Sequence, residues 1–296
     1  MRISVTHIFL LSVMFALCSC GTPPQGTTSQ EEAPQKEVSL QLYSLREDIS
    51  KDYENVIKKV GEMGYTSVEA AGYSDGKFYG RTPAQFRQDV EDAGMRVLSS
   101  HTTKSLSDKE LKSKDFSESL IWWDQCIEAH REAGAKYIVA PSMPRLKTVK
   151  ELQTYCDYFN EVGRRCREKG LSFGYHNHSF EFTKIEEVMM YDYLVEHTHP
   201  ECVFFQMDVY WTVMGQQSPV DYFNKYPGRF EHLHIKDNKE LGKSGMVGFD
   251  AIFKNTDVAG VKHLIVEVEK YNHPPLESVK RSLDYLLACP FVKEKY

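Results

Sequence analysis

Six glycines, Gly64, Gly94, Gly134, Gly170, Gly228 and Gly260, each close an amphipathic stretch and stand just before a short β-rich run. A glycine in that place is the left-handed cap that ends a helix and turns the chain back. The β-rich runs are residues 38–43, 67–71, 95–99, 136–140, 171–176, 202–208, 230–236 and 263–269, and the one at 202 is entered through His199-Pro200 instead of a glycine. Between them lie helical stripes such as Tyr53, Val56, Ile57, Val60 and Met63, or Val279, Leu283, Leu286 and Leu287. Strand followed by helix, repeated eight times with a unit of about 30–40 residues, requires a parallel sheet with helical crossovers. No glycine-rich nucleotide loop follows the first strand, as a doubly wound sheet would lead one to expect. The pattern predicts a closed (β/α)₈ barrel, the TIM barrel.

The first twenty residues do not belong to that pattern. Met1-Arg2 is positively charged, and the apolar run from Ile8 to Leu17 has signal-peptide length, too short to span a bilayer. It ends in Leu17-Cys18-Ser19-Cys20, which resembles a bacterial lipobox with Cys20 as the acylated residue, although Cys18 takes the place of a commoner small residue. Residues 21–36 are rich in Pro, Gln, Thr, Gly, Ser and Glu, a composition that cannot bury a core and predicts a flexible tether. The expected organisation is a signal peptide over 1–19, an acylated Cys20 with its linker over 20–36, and the barrel over 37–296. This places the chain in a bacterial cell envelope, on the periplasmic or surface side, touching membrane only through its lipid.

Charge and cysteines narrow the field further. A formal net charge of −6 with no basic run argues against a nucleic-acid partner. Cys126, Cys156, Cys166, Cys202 and Cys289 are odd in number, widely spaced and free of any CxxC pair, which fits buried small hydrophobes better than disulfides or a thiolate metal site.

Catalytic groups in such a barrel stand at the C-terminal ends of strands. Here those ends are crowded with ionisable groups: Glu69 on the second strand, His101 after the third, Tyr175-His176-Asn177-His178-Ser179-Phe180-Glu181 after the fifth, Gln206-Met207-Asp208 on the sixth, His232-Leu233-His234-Ile235-Lys236-Asp237 on the seventh, and Glu267-Val268-Glu269 on the eighth. Side chains alternate along a strand, so His232, His234 and Lys236 share one face, as do Gln206 with Asp208 and Glu267 with Glu269. Leu233, Ile235, Val266 and Val268 suit packing against helices, so the polar face points inward. Imidazoles and carboxylates converging in a mouth suit Mn²⁺, Co²⁺, Fe²⁺ or Zn²⁺, with Mg²⁺ less suited. His130, His197, His199 and His273 fall outside this cluster and read as surface or loop residues.

These residues resemble the xylose-isomerase-like barrels, a family of sugar isomerases, epimerases and inosose dehydratases, over essentially the whole domain from Val38 to Phe291. Gly174 to Phe182, Asp208-Val209-Tyr210-Trp211, His232 to Asp237, Gly245 to Asp250 and Val266-Glu267 carry the resemblance. It implies metal ligands at the ends of strands five to eight, usually Glu, Asp, His and Glu. Asp208, His234 and Glu267 match the last three, and His176 stands where the first Glu is usual, with His178 the competing choice. It also implies a sugar or keto-sugar substrate and proton abstraction beside a carbonyl, a divalent ion stabilising the enediolate as a Lewis acid. Glu267, His178 and Lys236 are the expected proton-handling groups, with Glu69, His101, Glu181 and Trp211 contacting the sugar. Isomerisation or epimerisation is the leading reading and elimination by a keto-sugar lyase or dehydratase the alternative, since His176 removes the symmetrical pair of glutamates.

Two other classes remain. A non-catalytic sugar-binding lipoprotein could use Tyr43, Tyr73, Trp211 and either Trp122 or Trp123 as stacking surfaces, but binding alone does not call for so many ionisable groups. An apurinic-site endonuclease of the same fold would need a basic DNA-facing surface, which the acidic balance disfavours. The N-terminal reading has a direct test. Cys20→Ser is expected to release the protein from the membrane fraction, whereas unmodified wild-type protein in the soluble periplasm would contradict it.

Overall fold

The strand–helix alternation closes into a barrel in which every strand pairs in parallel with its neighbours in sequence and the first pairs with the last. The computed structural model describes residues 36–296; the segment 1–19, Cys20 and the linker as far as residue 35 lie outside the described residues. The barrel strands are β1 (Ser39–Gln41), β2 (Ser67–Ala70), β3 (Arg96–His101), β4 (Tyr137–Ala140), β5 (Ser172–His176), β6 (Val203–Asp208), β7 (His232–Lys236) and β8 (His263–Glu267). Outside them lie α1 (Arg46–Glu62), α2 (Pro83–Asp92), α3 (Ser117–Glu132), α4 (Val149–Glu168), α5 (Met190–His197), α6 (Pro219–Lys225), α7 (Phe249–Lys254) and α8 (Pro275–Ala288). Short helical turns and two small antiparallel ribbons, Tyr73–Ser74 with Lys77–Phe78 and Lys184–Ile185 with Val188–Met189, fill the connections.

The six capping glycines all have positive φ, between 77° and 102°. A side chain there would force a backbone conformation that L-residues avoid, so the helix ends are fixed in the sequence. Strand ends were harder to place. β1 stops at Gln41, because the Gln41 side chain turns back to accept from the Tyr43 N–H at 3.0 Å and starts a 3₁₀ turn. β3 instead runs on to His101, which pairs with Val139 of β4. β8 ends at Glu267, since the Val268 N–H leaves the ladder for Ser44 Oγ at 2.9 Å.

Alternation sends Leu40, Val68, Phe173, Phe205, Leu233, Ile235 and Val266 outward against the helices, where they are buried. A helix face such as Leu152, Tyr155, Cys156, Phe159, Val162 and Cys166 on α4 covers them. Gly163 allows α4 to sit so close that an added Cβ would lie 2.0 Å from the Cys202 carbonyl oxygen. The inward residues are the unusual ones. Ser39, Gln41, Ser67, Glu69, Ser99, His176, Gln206, Asp208, His232 and His234 are all buried and all polar, where such barrels commonly carry branched apolar layers. Lys36 docks at the other end of the chain, its ammonium donating to the carbonyls of Leu286, Leu287 and Cys289 and satisfying the last turn of α8.

One expectation is corrected. His130 is not a surface residue: it is fully buried on α3, with rings of Tyr73 and Phe78 at 4.7 and 4.9 Å and Nδ1 donating to the Cys126 carbonyl at 2.7 Å. The ribbon at residues 73–78 folds over that face of α3, a contact no helical period announces. Trp123 is equally unavailable as a stacking surface, being fully buried with Nε1 donating to Tyr158 Oη at 2.7 Å. Among the described residues, Cys126, Cys156, Cys166, Cys202 and Cys289 are free, with all but the half-buried Cys202 in the interior.

Candidate active site and metal centre

Register places the ligand candidates side by side. Asp208 lies beside His234, Gln206 beside both His176 and His232, and Lys236 beside Glu267. Two overlapping trios bring one ligand atom from each residue within 4.8 Å of the others: His101, His176 and His234, and Asp208, His234 and Glu267. His234 belongs to both. His176, not His178, stands with His234, their ring centroids 4.6 Å apart; His178 lies farther out, 5.0 Å from His176.

Asp208 ends β6 and begins the helical turn Val209–Met214, its Oδ1 accepting from the Trp211 N–H at 2.8 Å. That cap explains an aspartate at this point and leaves the other oxygen for other work. Oδ2 of Asp208 and Nδ1 of His234 are buried with no hydrogen-bond partner among the described residues. An unsatisfied buried polar atom costs about 1–3 kcal/mol. Two of them facing Glu267, whose Oε2 is 3.5 Å from His234 Nδ1, fit a divalent ion.

Below this set lies Glu69, fully buried at the end of β2. Oε1 accepts from Gln41 Nε2 at 2.8 Å and His234 Nε2 at 2.6 Å and lies 3.0 Å from His101 Nε2; Oε2 accepts from Ser99 Oγ at 2.6 Å and Gln206 Nε2 at 2.8 Å. Gln206 Oε1 in turn faces His101 Nε2 at 2.7 Å and His176 Nδ1 at 3.1 Å. Glu69, expected to contact sugar, is therefore placed under the histidines.

Electrostatics follow from this packing. Burial would raise the Glu69 pKa, but His101 and His234 outweigh it and hold the carboxyl well below its ordinary range. Burial opposes charge on His234 too, yet Glu69 and Glu267 raise it to about 10. A divalent ion binding at Nδ1 must therefore displace a firmly held proton. Burial pushes Asp208 up to about 7 against the pull of Lys236 and His234. Glu267 lies well below its usual value because Lys236, and after it His234, outweigh burial. Lys236 donates to Glu267 at 2.8 Å and lies 3.0 Å from Glu269 Oε2. Burial alone would lower it, but Glu267, Asp208 and Glu269 raise it above the usual lysine value, which favours the charged ammonium. Burial lowers both His176 and His178, which are neutral at pH 7.

The mouth holds a cavity of about 300 Å³ lined by Tyr43, Ala71, His101, Pro141, His176, His178, Glu267 and Glu269. Of the expected sugar contacts, only His101 lines it. Trp211 stands alongside, its ring 5.8 Å from His178 and from Lys236 Nζ, with its indole N–H buried and without a hydrogen-bond partner among the described residues. Glu181 is fully buried beneath the loop, accepting from Tyr175 Oη at 2.7 Å and the His178 N–H at 2.9 Å, and burial raises it to about 7. It braces the backbone that carries His178. Gln41 and Ser99 had no role in the sequence reading. Their only signal was a polar residue on the inward face of a strand.

Fold and site together define a (β/α)₈ barrel with a buried imidazole–carboxylate cluster beside a cavity at its mouth. The profile of the xylose isomerase-like TIM barrel family matches residues 57–289, and the chain belongs to that family. A solved sugar phosphate isomerase/epimerase of Parabacteroides distasonis ATCC 8503 is 36% identical, with a TM-score of 0.81 over 87% of this chain and 100% of that one. An inosose dehydratase of Bacillus cereus (strain AH820) is 23% identical over 285 residues, 82% of this chain and 89% of the relative. An inosose dehydratase of Geobacillus kaustophilus (strain HTA426) matches at 23% over 200 residues, where the chain spans only 61% of the relative's length. The relatives are sugar-modifying enzymes.

Asp208→Ala and His234→Ala are each expected to abolish stoichiometric binding of Zn²⁺ or Mn²⁺, measured by elemental analysis after gel filtration, with the barrel's circular dichroism retained. Full metal content in both variants would contradict the assignment.

Proposed function

We propose that this barrel abstracts a proton beside the carbonyl of an unphosphorylated sugar or keto-sugar, as a metal-dependent isomerase or epimerase. The observation that carries the proposal is the pairing of an ionised, buried Glu267 with the orphaned Asp208 Oδ2 and His234 Nδ1 at the edge of the cavity. His176, Asp208, His234 and Glu267 would hold a divalent ion, which acts as a Lewis acid on the carbonyl oxygen. Glu267 is charged at neutral pH and can accept the proton. Lys236 keeps it charged and offsets the negative charge that develops as the proton leaves. His178 is neutral, and its buried Nδ1 has no partner among the described residues, which suits it to take or return a proton from a second side.

Two features support an unphosphorylated substrate. The cavity wall bears Glu267 and Glu269 and neither Lys nor Arg, and the nearby Lys236 is already shared between those carboxylates. The site thus repels a phosphate at its mouth. The volume leaves room for about one sugar ring. The proposal also sets the barrel in the bacterial envelope, on the strength of Leu17-Cys18-Ser19-Cys20 and the polar segment that follows.

Elimination is the second reading, and the asymmetry of the proton-handling groups favours it. One carboxylate and one neutral imidazole can serve as base and acid in loss of a β-oxygen, as the similarity to inosose dehydratases would have it. Isomerisation and elimination share the first step, so one experiment reads both. In D₂O, the metal-loaded protein is expected to wash deuterium into the carbon beside the carbonyl of a free ketose or a 3-keto-glycoside. Glu267→Gln should slow exchange by about 10²–10⁴-fold and Lys236→Met by at least about 10²-fold. No exchange with any such substrate, despite a filled metal site, would leave a sugar-binding protein as the better reading.

A further inference from the structure

Glu69 receives four hydrogen-bond donors, from Gln41, Ser99, Gln206 and His234, and His101 Nε2 lies 3.0 Å from it. Only an acceptor-only group can meet all of them; a carboxamide in its place would set its own N–H groups against donors. Two consequences follow. Because the carboxylate can only accept, His234 must carry a proton on Nε2, and the nitrogen of His234 left to an ion is Nδ1. That atom is buried beside Asp208 and Glu267 with no hydrogen-bond partner among the described residues. The Gln206 amide is fixed as well, since its Nε2 must face Glu69 Oε2 and its carbonyl oxygen must therefore face His101 and His176. The His176 Nδ1 at 3.1 Å is then the donor, and its lone pair lies on Nε2.

We propose that Glu69 is the positioning residue of the metal centre: it fixes, directly for His234 and through Gln206 for His176, which ring nitrogen is presented to the ion. The inference rests on the proposed metal site and adds the reason that site has its polarity. It also accounts for a glutamate at the end of β2 with no access to the cavity. Groups that orient a metal-bound imidazole through its second nitrogen typically govern affinity by about 10–100-fold.

The test uses the metal alone. Zn²⁺ affinity is measured by competition with a chelator for wild type, Glu69→Gln and Gly163→Ala. The last variant strains the α4 packing far from the site through the 2.0 Å approach to Cys202, and so serves as a control for general destabilisation. Glu69→Gln is expected to weaken binding by about 10–100-fold while Gly163→Ala leaves it within about threefold. In ¹¹³Cd-loaded, ¹⁵N-histidine-labelled wild type, coupling to cadmium should appear on Nδ1 of His234 and Nε2 of His176. This second readout needs no variant to fold. Unchanged affinity in Glu69→Gln, an equal loss in both variants, or coupling through His234 Nε2 would each overturn the proposal. Wild type that binds no ion at all would instead overturn the metal site on which it rests.

Discussion

A carboxylate without exposed surface, Glu69, occupies the middle of the barrel, and the surrounding polar groups are arranged to keep it charged. Moving a carboxylate out of water costs several kcal/mol even after the protein relaxes, and only close counter-charges and full hydrogen bonding recover that cost. Four donors on four strands, with the His101 imidazole close by, meet the requirement, and they are the reason the interior is polar where branched apolar layers would otherwise sit. Once Glu69 is ionised, His101 and His234 are oriented, Gln206 is oriented, and His176 follows. The ligand set at the mouth stands on this layer.

A second charge balance sits above the first. Glu267 and Glu269 share Lys236, and Glu267 also faces His234. Removing one member would leave another buried and unpaired, so the group acts as a unit. In the proposed reaction it assigns Glu267 as the base, Lys236 as its counter-charge and His178 as the neutral partner.

The fold was legible because its signals are local. A glycine with positive φ after each of six helices, and apolar residues alternating with polar ones along β7 and at the C-terminal end of β6, follow from the geometry of single elements. The nearness of Asp208, His234 and Glu267, and of His176 to His234, was legible for the same reason, since alternation and strand ends suffice to place them. Depth was not legible. Whether an inward residue lines the cavity or lies beneath it depends on the stagger between strands that do not adjoin, as with Glu69 on β2 and His234 on β7. Glu181 shows the same limit, since the loop after β5 folds it under Tyr175 and not toward the opening. His130 and Trp123 were missed because the covering ribbon and α4 are distant in sequence.

The central claim is that a divalent ion sits among Asp208, His234 and Glu267, with its imidazoles oriented from below by Glu69. Anomalous diffraction from crystals of the Zn²⁺- or Mn²⁺-loaded protein, collected on both sides of the metal absorption edge, tests it most directly. The account predicts one strong peak bounded by Asp208 Oδ2, His234 Nδ1 and a Glu267 oxygen, with His234 Nε2 still on Glu69. A peak elsewhere in the barrel, or none at full metal loading, would contradict it.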